Sequence, residues 1–274
     1  MFGKLEKKNM NSEIATETFN LLSIGQRAVG KTVFLAGSYA ELHGDGLTKR
    51  SGQLWFDCQD SQGQSNMERL LSYIVQTGKY PPATMKITNF SFSLKRHRLW
   101  GAQTLCYFRW LDIPGEICNI QNRDFRVMVS NSHGCCVFID AYALVHDNVY
   151  IHALEDVIKQ VMVIASLVCL NDSNYPFAVI LTKCDRLKPD LLSQKIEKAL
   201  QPLTTRLDAV IANYQIFYSL VSIVRREGAS NLRAVGAAAP FVWMGWELSK
   251  AHNSPGLMNN LLGFVTRLWP KKFQ

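Results

Sequence analysis

One short stretch constrains this chain more than any other. Ile24-Gly25-Gln26-Arg27-Ala28-Val29-Gly30-Lys31-Thr32 matches G-x-x-x-x-G-K-[ST], the P-loop pattern, at every specified position. Phe19 to Ile24 before it reads as a short apolar strand, and Val33 to Ala36 after it is apolar and helix-compatible. A tight turn between strand and helix lets backbone N–H groups and a helix N-terminus converge on one anion. Gly25 and Gly30 permit the tight path. Gln26, Arg27, Ala28 and Val29 supply the rest of the cradle. Lys31 is placed to reach terminal phosphates, and Thr32 to give its hydroxyl to Mg²⁺.

Composition narrows the remaining choices. At 274 residues the chain can bury a large core, as one big domain or one domain with insertions. Its 47% apolar and 19% charged content is ordinary for a soluble globular protein. No apolar run reaches the roughly 18 residues of a membrane span. Lys4, Lys7 and Lys8 have no apolar segment behind them, so the start does not read as a signal peptide. The seven cysteines are scattered, odd in number and without a C-x-x-C pair. That argues against a disulfide framework or a zinc site and fits a reducing cytoplasm. The net charge of +8 reads as solubility; it alone speaks for nucleic acid, which is a weak case.

Taken in order, residues 1–17 read as a loose leader. The helix after the P-loop ends before His43-Gly44-Asp45-Gly46. Residues 45–65 read as a long loop packed by Leu54-Trp55-Phe56, and Met67, Leu70, Leu71, Ile74 and Val75 fall on one helical face. Pro81 and Pro82 force an extended path. Met85 to Leu94 reads as a strand, Lys95-Arg96-His97-Arg98 as a hairpin tip, and Leu105 to Leu111 as the returning strand. A helix is expected near Phe125 to Ser130. Gly134 to Asp140 and Phe177 to Leu181 are continuous apolar runs, the mark of strands buried on both faces. Helices are expected over about Tyr150 to Leu170, 189–212 and Pro240 to Lys250, with a last strand over Tyr214 to Val221. The tail, 251–274, is the least readable part. Its aromatic and basic residues, from Phe264 to Phe273, read as docking on its own domain rather than on a membrane. Alternating strands and helices imply an α/β fold with a mainly parallel sheet and one antiparallel edge strand.

Two further motifs follow strands, at the carboxyl ends where ligands of such sheets bind. In Asp112-Ile113-Pro114-Gly115-Glu116 the carboxylate can hold Mg²⁺ through water, and the Gly115 N–H can meet a terminal phosphate. In Thr182-Lys183-Cys184-Asp185 the Asp185 carboxylate can accept from N1–H and the exocyclic amine of guanine, a donor pair that adenine lacks. The stem of Lys183 can cover the base plane.

With GQRAVGKT, DIPGE and TKCD in this order, the chain resembles the Ras-like GTPases of the TRAFAC class of P-loop proteins over about Phe19 to Lys250. The resemblance implies a three-layer P-loop sandwich with a GTPase domain over 18–250. It also implies a cytoplasmic protein that binds GTP, GDP and Mg²⁺ and hydrolyses GTP. Tyr80-Pro81-Pro82-Ala83-Thr84 looks like its switch I. Thr84 is then the threonine that closes over Mg²⁺ and γ-phosphate; Thr48 is the rival. With Thr84, residues 45–79 are an insertion before switch I. The insertion and the PPAT segment also resemble bacterial double-GTPase-like proteins of multi-gene defence-type loci, more weakly.

Departures from the pattern shape the expected activity. Arg27 stands where Ras-type proteins often keep Gly, close to the γ-phosphate. Ala28 stands where cation-activated relatives carry Asn. Glu116 replaces the common Gln and repels phosphate even as it orients water. Ser222 is the nearest candidate for the last family motif. The resemblance therefore implies slow hydrolysis through Lys31, Thr84, Gly115 and Glu116, with Thr32, Thr84 and Asp112 at the metal. The nucleotide would switch a surface that binds a protein partner or effector. The alternative is a nucleotide-binding scaffold without turnover inside a multiprotein assembly.

Overall fold

The computed structural model describes residues 16–43, 54–82, 89–98, 101–113, 117–168, 174–188, 194–226 and 229–268. The strands are β1 (Thr18–Gly25), β2 (Leu54–Cys58), β3 (Asn89–Arg98), β4 (Gly101–Asp112), β5 (Gly134–Asp140), β6 (Pro176–Thr182), β7 (Asn213–Tyr218), β8 (Leu220–Arg226) and β9 (Ala229–Val235). The helices are α1 (Lys31–His43), α2 (Ser61–Thr77), α3 (Arg123–Ser130), α4 (Ala141–His146), α5 (Tyr150–Val168), α6 (Gln194–Ala209), α7 (Ala239–Ala251) and α8 (Pro255–Leu268). One seven-stranded sheet runs β2-β3-β4-β1-β5-β6-β7, and β8 and β9 form a separate antiparallel pair. The fold is α/β, and the sheet is parallel from β4 through β1, β5 and β6 to β7.

Side-chain alternation sorts the helices into two layers. Phe19 and Leu21 of β1 join Phe138 of β5 and Ile180 of β6 in a core under α1, α2, α7 and α8. Leu22 and Ile24 join Val137, Ile139, Val179 and Leu181 in a second core under α3, α4, α5 and α6. Strands β5 and β6 are therefore buried at every residue, as their apolar runs require. Phe241 of α7 knits the first core, meeting Phe92 and Phe56 edge-on at centroid distances of 4.9 and 5.4 Å.

Four expectations need correction. The antiparallel strand is β3, and it is not at the edge: β2 pairs with its outer side. The aromatic knot at 54–56 is thus strand rather than loop, with Leu54 and Phe56 buried and Trp55 half-buried against the same core. Lys95 to Arg98 are not a hairpin tip but the last residues of β3, paired with 101–104. The strand expected over Tyr214 to Val221 is two elements: β7 ends at Tyr218 and the β8–β9 hairpin follows. In the tail, Leu257, Leu261 and Phe264 of α8 are buried in the first core. Among the described residues, no helix is long and apolar enough to cross a membrane.

Candidate functional site

The turn from β1 into α1 is made of backbone conformations that most residues avoid. Gly25 has φ 140°, Ala28 φ 62° and Gly30 φ 106°. A Cβ on Gly25 would stand 2.7 Å from the Phe138 carbonyl oxygen, so the strand end leaves room for no side chain. Left-handed residues in such a turn aim N–H groups toward one point. The Val29 N–H bonds Gln26 O at 3.4 Å, and the Phe34 N–H closes on Gly30 O at 2.8 Å. The N–H groups of Lys31, Thr32 and Val33 precede a full helical turn and have no intrahelical acceptor. The Thr182 hydroxyl lies 2.6 Å from Val29 O and 3.2 Å from Ile139 O, tying the loop to the end of β6.

Lys31 Nζ lies 2.6 Å from Asp112 Oδ1 and 3.4 Å from Gly25 O. Asp112 ends β4 next to Ser23 of β1 in the sheet register. Both side chains are largely sheltered, so the pair interacts through less than bulk-water screening.

A second group of residues collects at the end of β6. Lys183 is left-handed, φ 58°, and a single 3₁₀ turn, Cys184–Arg186, follows it. The Lys183 ammonium pairs with the Asp140 carboxylate. Asp140 ends β5, caps α4 by accepting the Ala143 N–H at 3.0 Å, and donates its own N–H to the Tyr150 hydroxyl at 2.8 Å. Burial pushes the Cys184 thiol up to about 12, which keeps it protonated. Burial also raises the Asp185 carboxyl above the usual range, while the N–H groups of Asp185 and Val221 and the charge of Arg186 pull it back.

Both groups face one cavity of about 330 Å³ at the carboxyl ends of β1, β4 and β6. Gln26, Arg27, Ala28, Val29, Gly30, Lys31 and Thr32 line it at one end, with Asp112. Thr182 lines it beside the loop, Lys183, Asp185, Arg186, Ser219 and Val221 line the other end, and Tyr80, Pro81 and Pro82 close a side. Gly25 stands behind the loop. Ser222 is not among the lining residues: it pairs with Arg233 in β8, and Ser219, between β7 and β8, lines the cavity instead. Thr48, Thr84, Gly115 and Glu116 lie outside the described residues.

Sequence reasoning missed Asp140, and it read Tyr80 as part of switch I without placing it beside Asp185 on the cavity wall. An acid that closes a fully buried strand was the available signal for Asp140. Among the described residues no three His, Cys, Asp or Glu side chains group as a metal site. No protein-family model matches the chain, and no curated protein matches it in sequence.

Proposed function

We propose that this chain binds guanine nucleotide in the cavity between the Gly25–Thr32 loop and Asp185, hydrolyses GTP slowly, and acts as a nucleotide-dependent switch within a protein complex. The observation that carries the reading is the meeting of three separate sequence motifs on one cavity. The fold fits the three-layer sandwich of Ras-like P-loop proteins.

In this reading the loop's N–H groups and Lys31 take the phosphates, with Lys31 shared between them and Asp112. The Asp185 carboxylate accepts from N1–H and the exocyclic amine of guanine. The Lys183 stem lies along the base while its ammonium stays on Asp140. The hydroxyl of Thr32 and the carboxylate of Asp112 are hard oxygen donors on the cavity wall, and they fit Mg²⁺, an ion that relies mostly on phosphate oxygens and water. Mg²⁺, when bound, neutralises charge on the terminal phosphates. Thr84, Gly115 and Glu116 would complete the reacting end, with Glu116 as the reason for slow turnover.

The scaffold without turnover is motivated by one observation: Arg27 is exposed on the cavity wall, where it would either obstruct an arginine supplied by an activating partner or itself supply positive charge. Turnover of GTP and ATP at saturating Mg²⁺, with bound nucleotide identified after denaturation, separates the readings. GDP release above a Lys31→Ala control supports the switch. Tight guanine binding without GDP release supports the scaffold. Absence of guanine binding removes both.

A further inference from the structure

The β8–β9 hairpin is fastened to the cavity from several sides. Before it, the Ser219 N–H donates to Leu181 O at 2.8 Å, and the Ser219 carbonyl accepts the Cys184 N–H at 3.4 Å. After it, the buried Glu41 carboxylate of α1 accepts the N–H groups of Gly236 at 2.8 Å and Ala238 at 2.7 Å. Between these ties the hairpin lies directly on α1: a Cβ on Gly37 would stand 2.7 Å from Val221 Cγ2.

Strand β8 gives one edge to β9 and keeps the other for the cavity. N–H and C=O of one strand residue point to the same side. On the free edge the Tyr80 hydroxyl donates to Val221 O at 3.1 Å, and the Ile223 N–H faces the same phenol. The Val221 N–H faces the Asp185 carboxylate. One residue of β8, Val221, therefore accepts the hydroxyl of a separate segment and turns its N–H toward the carboxylate at the base-reading end.

We propose that Tyr80 is a specificity-determining residue of this site, positioning Asp185 through Val221. The proposal rests on the guanine-nucleotide reading above. Seating the phenol on the free edge fixes the strand whose N–H orients Asp185, so selectivity for guanine depends on a hydroxyl from another segment. The opposite wall and the base reader then order together rather than in turn.

The test is a double-substitution cycle on the full chain, reading affinities for fluorescent GDP and ADP analogues. Tyr80→Phe keeps the ring and removes the hydroxyl. It is expected to lower the GDP-to-ADP preference about fivefold, the worth of one hydrogen bond. In an Asp185→Asn background the same change is expected to leave the ratio where Asp185→Asn has put it. Equal weakening of GDP and ADP by Tyr80→Phe would overturn the proposal, because a merely structural role does that. Additive effects on the ratio would also overturn it. A wild type without any guanine preference sinks the underlying reading, whereas a guanine-selective wild type whose ratio ignores Tyr80→Phe sinks only this one.

Discussion

The two ends of the cavity are built from different materials. The end at the Gly25–Thr32 loop is one continuous run, bent by positive φ at Gly25, Ala28 and Gly30. The end at Asp185 is assembled from separate segments: Lys183, Asp185 and Arg186 after β6, the Tyr80 segment, and Ser219 and Val221 at the start of β8, with Asp140 of β5 holding Lys183. Backbone recognition is shared by any ligand with the same phosphates. Side-chain recognition can change partner by exchanging one atom. The first end should therefore be fragile and unselective, and the second tolerant and selective.

The sharpest way to break that contrast is Gly25→Val. The positive φ and the approach of Phe138 O are expected to cost at least about 3 kcal/mol of stability, read from the urea midpoint. Next comes Lys31→Ala, expected to remove about 2–5 kcal/mol of affinity for guanine and adenine nucleotides alike, read by titration calorimetry. A large selective loss would show that the two ends are not distinct. Asp185→Asn is expected to shift preference from guanine to xanthine nucleotide by about 100-fold with the urea midpoint nearly unchanged. An unaltered preference would remove Asp185 from the base-reading role.

The smallest expected effect is a pH dependence confined to the Asp185 end. Its raised carboxyl must be ionised to accept two N–H groups, so GDP affinity should fall as pH falls through that raised value. The ligand-free protein should respond with the opposite sign at this group. Burial disfavours the charged form, so the folded state binds the proton more readily than the unfolded one. The stability contribution is then present at low pH and lost as pH rises through the folded value. GDP titrations and urea midpoints over the same mildly acidic range, with Asp185→Asn as reference, check both slopes.

Which parts were legible in the sequence follows the same division. The strand–loop–helix at Gly25–Thr32 was readable because its residues are contiguous, and GCCVFID and PFAVILT were readable because burial on both faces leaves an uninterrupted apolar run. Strand β2 was not, since five residues with only Leu54 and Phe56 buried carry too little alternation to separate from an aromatic-rich loop. The β8–β9 hairpin was hidden in a similar way. Val221 and Ile223 alternate with Ser222 and Val224, and Leu232 and Ala234 answer them across the pair, but each strand is short, β8 ending in Arg225-Arg226 and β9 interrupted by Arg233. Running β7 on to Val221 placed the serine of the last motif at Ser222, three residues past the one that lines the cavity, Ser219. Asp140 belongs to no motif, and Tyr80 was read only as the first residue of a switch I segment, because what they contact depends on partners distant in sequence, Lys183 and Val221.

The bond from the Thr182 hydroxyl to the Val29 carbonyl has a consequence for synthesis of the chain. Strand β1 lies between β4 and β5, and the loop it carries is tied to the last residue of β6. A growing chain thus makes its Gly25–Thr32 loop early and must carry it without neighbours while much of the sheet is still to come. Such long-range pairing folds slowly. Under the proposed function, nucleotide capture would not guide the first steps; it would only reward a chain whose central strands have already left the ribosome.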